Sequence, residues 1–225
     1  PSLSINTATA YGTILDGGGI VYRASITPQA MEGNDDSFDP ALSPGGTLAA
    51  FASAANNLVS GDGNGEGDIF VKDLTTGLVQ RITMGFLGDE ANNSSFSPVF
   101  SPVGGKIAFV SRASNLVVGD GNGNTDIFVW SNGTITRVST DALGNESNGF
   151  SDSPSFSADG TKIVFVSNAN NLVAGDTNGT EDIFVKDLTT GAIQRVNTTA
   201  LGDEATGDGE GGGYSSEPIF SPDAS

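Results

Sequence analysis

The sequence contains no cysteine and no histidine. Without thiols there is neither a disulfide nor a thiolate metal site, and the redox compartment is left open. Without imidazole the chain lacks the commonest general base and the commonest ligand of catalytic zinc, which removes much of enzyme chemistry. Positive charge is scarce as well: nine Lys and Arg stand against 27 Asp and Glu, for a net charge of −18. The basic residues are scattered and form no patch, so neither nucleic acid nor an anionic membrane is an expected partner. No apolar run approaches the roughly 18 residues of a membrane span, and no membrane insertion is expected. No signal peptide stands at Pro1. A secreted chain whose leader has been removed reads this way, as does an excised fragment.

What is present favours strands. Hydrophobic residues make up 36% of the chain, enough for a substantial core, and 32 Gly with frequent Asn, Ser and Thr suit many short strands joined by tight turns. One phrase recurs three times: SGDGNGEGDIFVKDLTTG from Ser60, VGDGNGNTDIFVW from Val118 and AGDTNGTEDIFVKDLTTG from Ala174. Each copy places Asp, Asn-Gly and a second Asp directly before a β-branched and aromatic run.

The order around the phrase is constant. A Pro-containing segment (DPALSPGG, SPVFSPVGG, SPSFSADG, EPIFSPDAS) precedes an apolar strand, then Asn-Leu-Val, the acidic phrase, the DIFV strand, a Gly turn and a fourth strand such as VQRIT. Four strands per repeat at a fixed period predict an all-β chain, a β-propeller of four-stranded antiparallel blades, because one such sheet cannot cover both of its faces alone. The blades are 39–96, 97–152 and 153–216, with a degenerate or partial blade over 1–38 and the first strand of a further blade over 217–225, all in one domain. In the first unit GGIVYRAS is read as the second-strand copy, with the acidic loop and the strand after it lost. The break at SPDAS reads as an excerpt of a larger ring in preference to closure by residues 1–38. Val99, Phe100, Phe156, Ile219 and Phe220 are expected on inner strands, Ile107, Phe109, Ile163 and Phe165 beside them, and Phe70, Phe128 and Phe184 between blades.

The SPDG-type turn followed by KIAFVS and then DIFVKDLTTG is similar to TolB-like propeller repeats. Phe100, Phe156 and Phe220 stand where that family often has Trp, and the likeness covers Asp39 to the end. The resemblance implies a propeller; it leaves function open between partner-binding, enzymatic and structural roles.

The acidic phrase also resembles the short calcium loops of integrin α propellers. Alternating oxygen-bearing residues around a sharp Gly turn converge on a hard cation. The expected ligands are Asp62, Asn64, the Glu66 carbonyl and Asp68; Asp120, Asn122, the Asn124 carbonyl and Asp126; and Asp176, Asn178, the Thr180 carbonyl and Asp182. The first ligand position holds Ser60, Val118 or Ala174, so water, a carbonyl or Asn57, Asn115 or Asn171 would complete each shell. Affinity for Ca2+ then falls to roughly 10⁻⁴ to 10⁻³ M. The plainer alternative is that Asp-Gly and Asn-Gly make turns whose side chains bond backbone amides.

Other recurrent residues read as architecture. Arg81, Arg137 and Arg195 share one position of the fourth strand, where pairing with a blade carboxylate is expected. Glu90, Glu146 and Glu204 recur once per blade, which argues against an acid–base pair for glycoside cleavage. Trp130, the sole Trp, replaces Lys72 and Lys186; it could stack on a sugar or pack between blades. Asn93, Asn132, Asn145 and Asn197 begin glycosylation triplets that repeats rich in Asn and Thr produce by chance. These residues together predict a calcium-stabilised, non-enzymatic binding or structural module, extracellular or on a cell surface, with a protein or glycan partner and possible self-assembly or neighbouring domains. The alternatives are the propeller of a carbohydrate-active or peptidase-type enzyme, or a TolB-like periplasmic docking module.

Overall fold

The computed structural model describes residues 4–6, 13–15, 21–199 and 217–221. Among them all regular structure is β. Strands β1 (Ser4–Asn6), β2 (Thr13–Leu15) and β3 (Val21–Arg23) form a three-stranded sheet. Three four-stranded sheets follow in chain order. The first has β4 (Ser37–Leu42), β5 (Leu48–Ser53), β6 (Asp68–Asp73) and β7 (Val79–Arg81); the second β8 (Ser95–Phe100), β9 (Lys106–Ser111), β10 (Asp126–Ser131) and β11 (Thr134–Arg137); the third β12 (Ser151–Phe156), β13 (Lys162–Ser167), β14 (Asp182–Asp187) and β15 (Ile193–Arg195). Every neighbouring pair is antiparallel and sequential, as in the blades of a propeller.

Turn chemistry sets the hairpins. Asn132 and Gly133 both adopt positive φ (50° and 85°), the conformation that an Asn-Gly connection favours between twisted strands. The corresponding turns of the other two blades are held by Asp73 and Asp187, whose Oδ1 atoms accept the amides of Thr75 and Thr76 and of Thr189 and Thr190.

Alternation along each strand gives a blade two unlike faces. Phe51 pairs with Phe70, Phe109 with Phe128 and Phe165 with Phe184, their rings stacked at centroid distances of 5.9, 5.8 and 5.9 Å. The opposite face carries small or β-branched side chains. Ala50, Ala52 and Ile69 of the first blade pack on Ile107, Phe109 and Phe128 of the second. Ala108, Val110, Ile127 and Val129 of the second pack in the same way on Ile163, Phe165 and Phe184 of the third. The core therefore lies between blades, where Phe70, Phe128 and Phe184 were expected; all three are fully buried.

Inner strands β4, β8 and β12 share an irregularity that the sequence does not disclose. Pairing slips between Phe38 and Ala41, Phe96 and Val99, and Asp152 and Ser155. The residue before each Pro (Asp39, Ser97, Ser153 and also Glu217) has φ of 49°, 52°, 55° and 52°. These four positions and Pro40, Pro98, Pro154 and Pro218 line one cavity of about 330 Å³, and the Ser97 amide donates to Asp39 Oδ2 at 3.0 Å. The segment 217–221 thus shares the geometry of the inner strands, though it is not itself paired as a strand and Ile219 is 80% exposed rather than in the core.

One assignment within the first unit changes. Val21–Arg23 is not a second strand: Arg23 is ion-paired to Glu32, and an isolated bridge joins Ile26 to Glu32. The bridges Met84 to Glu90 and Thr140 to Glu146 occupy the same place after β7 and β11. Strand β3 therefore corresponds to the last strand of a blade, with β1 and β2 before it.

Candidate functional site

The acidic phrase and the fourth strand meet at one point in each blade. Asp68 begins β6 and Arg81 ends β7, and register brings them to the same face, since Phe70 pairs with Arg81. The turn around Gly61 to Gly65 carries Asp62 over the end of the blade. Arg81 Nη1 then lies 3.0 Å from Asp62 Oδ1, 3.2 Å from Asp68 Oδ2 and 2.9 Å from Glu90 Oε1, while Nη2 donates to the Gly61 carbonyl at 3.0 Å. Thr83 Oγ1 donates to Asp68 Oδ1, and Gly63 N donates to Glu90 Oε1 at 2.8 Å. A buried guanidinium is the cation on which the three carboxylates converge.

The other blades repeat the arrangement with graded spacing. Arg195 Nη1 is 3.2 Å from Asp176 Oδ1 and 3.3 Å from Asp182 Oδ2. In the middle blade Arg137 Nη1 stays close to Glu146 Oε1 (2.7 Å) but stands 3.6 Å from Asp120 Oδ1 and 3.9 Å from Asp126 Oδ2. There one carboxylate oxygen from each of Asp120, Asp126 and Glu146 lies within 4.8 Å of the other two, and this acidic triad could hold a metal ion.

Charge is not fully balanced. Burial pushes the Asp62 carboxyl up to about 6; Arg81 opposes the shift, and Asp68 and Glu90 add to it. Burial and then the Asp126 charge push Asp120 up to about 6, against the pull of Arg137. Asp68 and Asp126 are also raised, by burial above all. Glu90 is held low by the Gly63 amide and Arg81. Glu146 is held low despite burial, by the amides of Gly121 and Asn122 and by Arg137.

The expected ligands are therefore brought together in part. Asp62 with Asp68, Asp120 with Asp126 and Asp176 with Asp182 share a centre in each blade. The asparagines face it donor-first: Asn64 Nδ2 donates to Asp68 Oδ2 at 3.1 Å, Asn122 Nδ2 to Asp126 Oδ2 at 3.0 Å and Asn178 Nδ2 to Asp182 Oδ2 at 3.2 Å. Their Oδ1 atoms accept the amides of Glu66, Asn124 and Thr180 at 3.0, 2.7 and 3.0 Å, which is the side-chain-to-backbone turn of the plainer reading. The Glu66 carboxylate accepts from Ser94 Oγ at 2.5 Å.

Asn57, Asn115 and Asn171 do not complete these shells. Each reaches across to the preceding repeat, where Nδ2 donates to the carbonyl of Glu32, Glu90 or Glu146 and Oδ1 accepts the amide of Asn34, Asn92 or Asn148. Asn197, one of the glycosylation triplets, uses both ends of its amide on Ile183 N and Asp182 Oδ1. Glu204 lies outside the described residues. Arg81, Arg137, Glu90 and Glu146 are the members that motif reading kept apart from the loop; their one-per-repeat spacing was the available signal.

No protein-family model matches the sequence, and no curated protein matches it. Among solved structures the chain is similar to TolB from Acinetobacter baumannii, at 22% identity and a TM-score of 0.53 over 90% of this chain and 42% of that one. It is similar to a putative TolB from Agrobacterium tumefaciens, at 19% identity and a TM-score of 0.52 over 82% of this chain and 55% of that one. An oligogalacturonate lyase in complex with manganese is similar at 13% identity and a TM-score of 0.52, over 83% of this chain and 47% of that one. The chain thus spans about half the length of these structures, and the likeness shows a TolB-like β-propeller fold.

Proposed function

We propose that the chain is a non-catalytic propeller module that presents a binding surface outside the cytoplasm, its acidic loops braced from within. The observation that carries this reading is the recurrence of an Arg paired with the two loop aspartates in all three four-stranded blades, at hydrogen-bond distance in the first and third and further apart in the second. A catalytic carboxylate pair needs unlike environments for its two members. Asp120 and Glu146 differ in this way, yet both lie on the Arg137 guanidinium and the same set recurs around Arg81, which reads as architecture.

Calcium belongs to the middle blade in this reading. In the first blade Arg81 stands at hydrogen-bond distance from three carboxylates and takes the place of a cation. Around Asp120, Asp126 and Glu146 the guanidinium stands back from both aspartates, and the donor set is all oxygen, which suits a hard divalent ion. The manganese of the lyase neighbour is that protein's; calcium is favoured here because it tolerates irregular oxygen geometry. Weak affinity fits calcium-rich surroundings outside the cell. Calorimetry on decalcified protein should show about one ion bound per chain at roughly 10⁻⁴ to 10⁻³ M. Absence of binding at millimolar calcium would remove the metal from this account, and turnover of a polysaccharide or peptide panel would overturn the non-catalytic reading.

A further inference from the structure

Position 130 breaks a pattern that the other blades keep. In register, Trp130 opposite Ile107 corresponds to Lys72 opposite Ala49 and Lys186 opposite Ile163. Both lysines are buried and tie their blade to the preceding repeat. Lys72 Nζ donates to the Ile26 carbonyl at 2.8 Å; Lys186 Nζ donates to the carbonyls of Thr140 and Asp141 at 2.9 and 2.7 Å. An indole has one N–H and no such reach, and the Trp130 side chain makes no hydrogen bond within the described residues.

A cavity of about 440 Å³ lies between the first and second blades, with Trp130 in its wall. Its size falls within the range of about 300–1,000 Å³ typical of small-molecule sites. Trp130, half-buried, forms one wall with Phe100 and Ile107, and Val71 packs on the same cluster from the first blade. Polar groups are confined to the edge. Gln80 is exposed, and Asp73 spends Oδ1 on the turn amides; Lys106 also lines the cleft, but its Nζ is turned to the Gly160 carbonyl of the third blade at 3.0 Å.

We propose that this cleft is a binding site for a neutral saccharide. A pyranose has an apolar C–H face that matches an indole and a rim of hydroxyls that both donate and accept, as Asp73 and Gln80 require. An all-apolar peptide side chain would bury the edge groups unpaired. The Asp73 carboxylate and a molecule of net charge −18 repel uronates, so the sugar is uncharged. The proposal rests on the reading of the chain as a binding module and gives its ligand class.

Trp130 is the only tryptophan, so its emission reports this cleft alone. Neutral glucose-, galactose-, mannose- and N-acetylglucosamine-based oligosaccharides should be titrated against galacturonate oligomers, with saturation-transfer NMR as a second readout. At least one neutral series should shift the emission saturably, and uronates should not. Trp130→Lys installs the residue that the sister blades use; it should keep or raise the melting temperature while weakening binding by about tenfold or more, the loss of about 1.4 kcal/mol of stacking. No response to any neutral sugar at tens of millimolar, or NMR binding undiminished in W130K, overturns the proposal. So does a response confined to aromatic or apolar peptides, which would leave the binding-module reading standing with a different ligand. Turnover of a bound sugar would instead overturn the non-catalytic reading and leave the site in place.

Discussion

Arg81 does inside the protein what a bound ion does in a calcium loop: it gives three converging carboxylates a common positive partner. Its removal should therefore be costly, because it would leave Asp62, Asp68 and Glu90 facing one another in a buried site. Arg81→Gln should lower stability by about 3–5 kcal/mol in denaturant unfolding. The corresponding change at Arg23, whose pair with Glu32 is 35% and 72% exposed, should cost no more than about 1 kcal/mol. The residual negative charge has a sign that can be tested. Asp62 and Asp120 titrate near 6 in the folded state against an ordinary value of 3.8, so between these values the native state holds protons that the unfolded chain does not. Unfolding free energy should therefore rise as pH falls from about 7 to about 5. Below about 4 the order reverses, because Glu90, Glu146 and Asp159, the last held at about 2, are depressed in the fold and stability is lost as they take up protons. The pairing of the arginines with blade acids was legible in their constant position. The convergence was not, since residues 62, 68, 81 and 90 meet only after the blade closes, and motif alignment assigned the loop asparagines as acceptors where the fold uses them as donors.

At the scale of the element, each blade is a Phe face and a small-residue face, and stability resides where the two meet. Phe128 is fully buried, stacks on Phe109 and packs against Ala50, Ala52 and Ile69 of the neighbouring blade. Phe128→Ala should cost about 3–5 kcal/mol, measured by chemical unfolding. Polar ties cross the same interfaces. Lys186→Met keeps the stem but removes the donor to Thr140 and Asp141, and a loss of about 1.5–3 kcal/mol is expected. Strands β9, β10, β13 and β14 were readable because KIAFVS and DIFV combine β-branched and aromatic residues with turn residues at both ends. Strand β3 differs from its sequence reading because GGIVYRAS offers the same Gly-then-apolar pattern as a second strand; the pair Arg23–Glu32 and the bridge Ile26–Glu32 identify it as a last strand. The left-handed residues Asp39, Ser97, Ser153 and Glu217 were invisible for a physical reason. A residue before Pro is biased toward extended backbone, and nothing local signals a bulge that the inner strands adopt together.

Across the whole molecule, repetition determines both the fold and the meaning of the acidic phrase. A sheet whose two faces both require cover must stack on copies of itself, and this was readable from period and strand count alone. What distinguishes one blade from the next was not, because it lies in half-ångström differences of spacing between Arg137 and its aspartates and in the single exchange of Lys for Trp130. The central claim is that the arginines brace the loops and that, of the first two blades, calcium adds to them in the second. It is tested most directly by the melting temperature of decalcified protein, with and without millimolar calcium, in the native chain and in Glu90→Gln and Glu146→Gln. Calcium should raise the melting temperature of the native chain and of E90Q and leave that of E146Q unchanged, whereas no shift in the native chain, or a shift abolished by E90Q and kept by E146Q, would contradict the account.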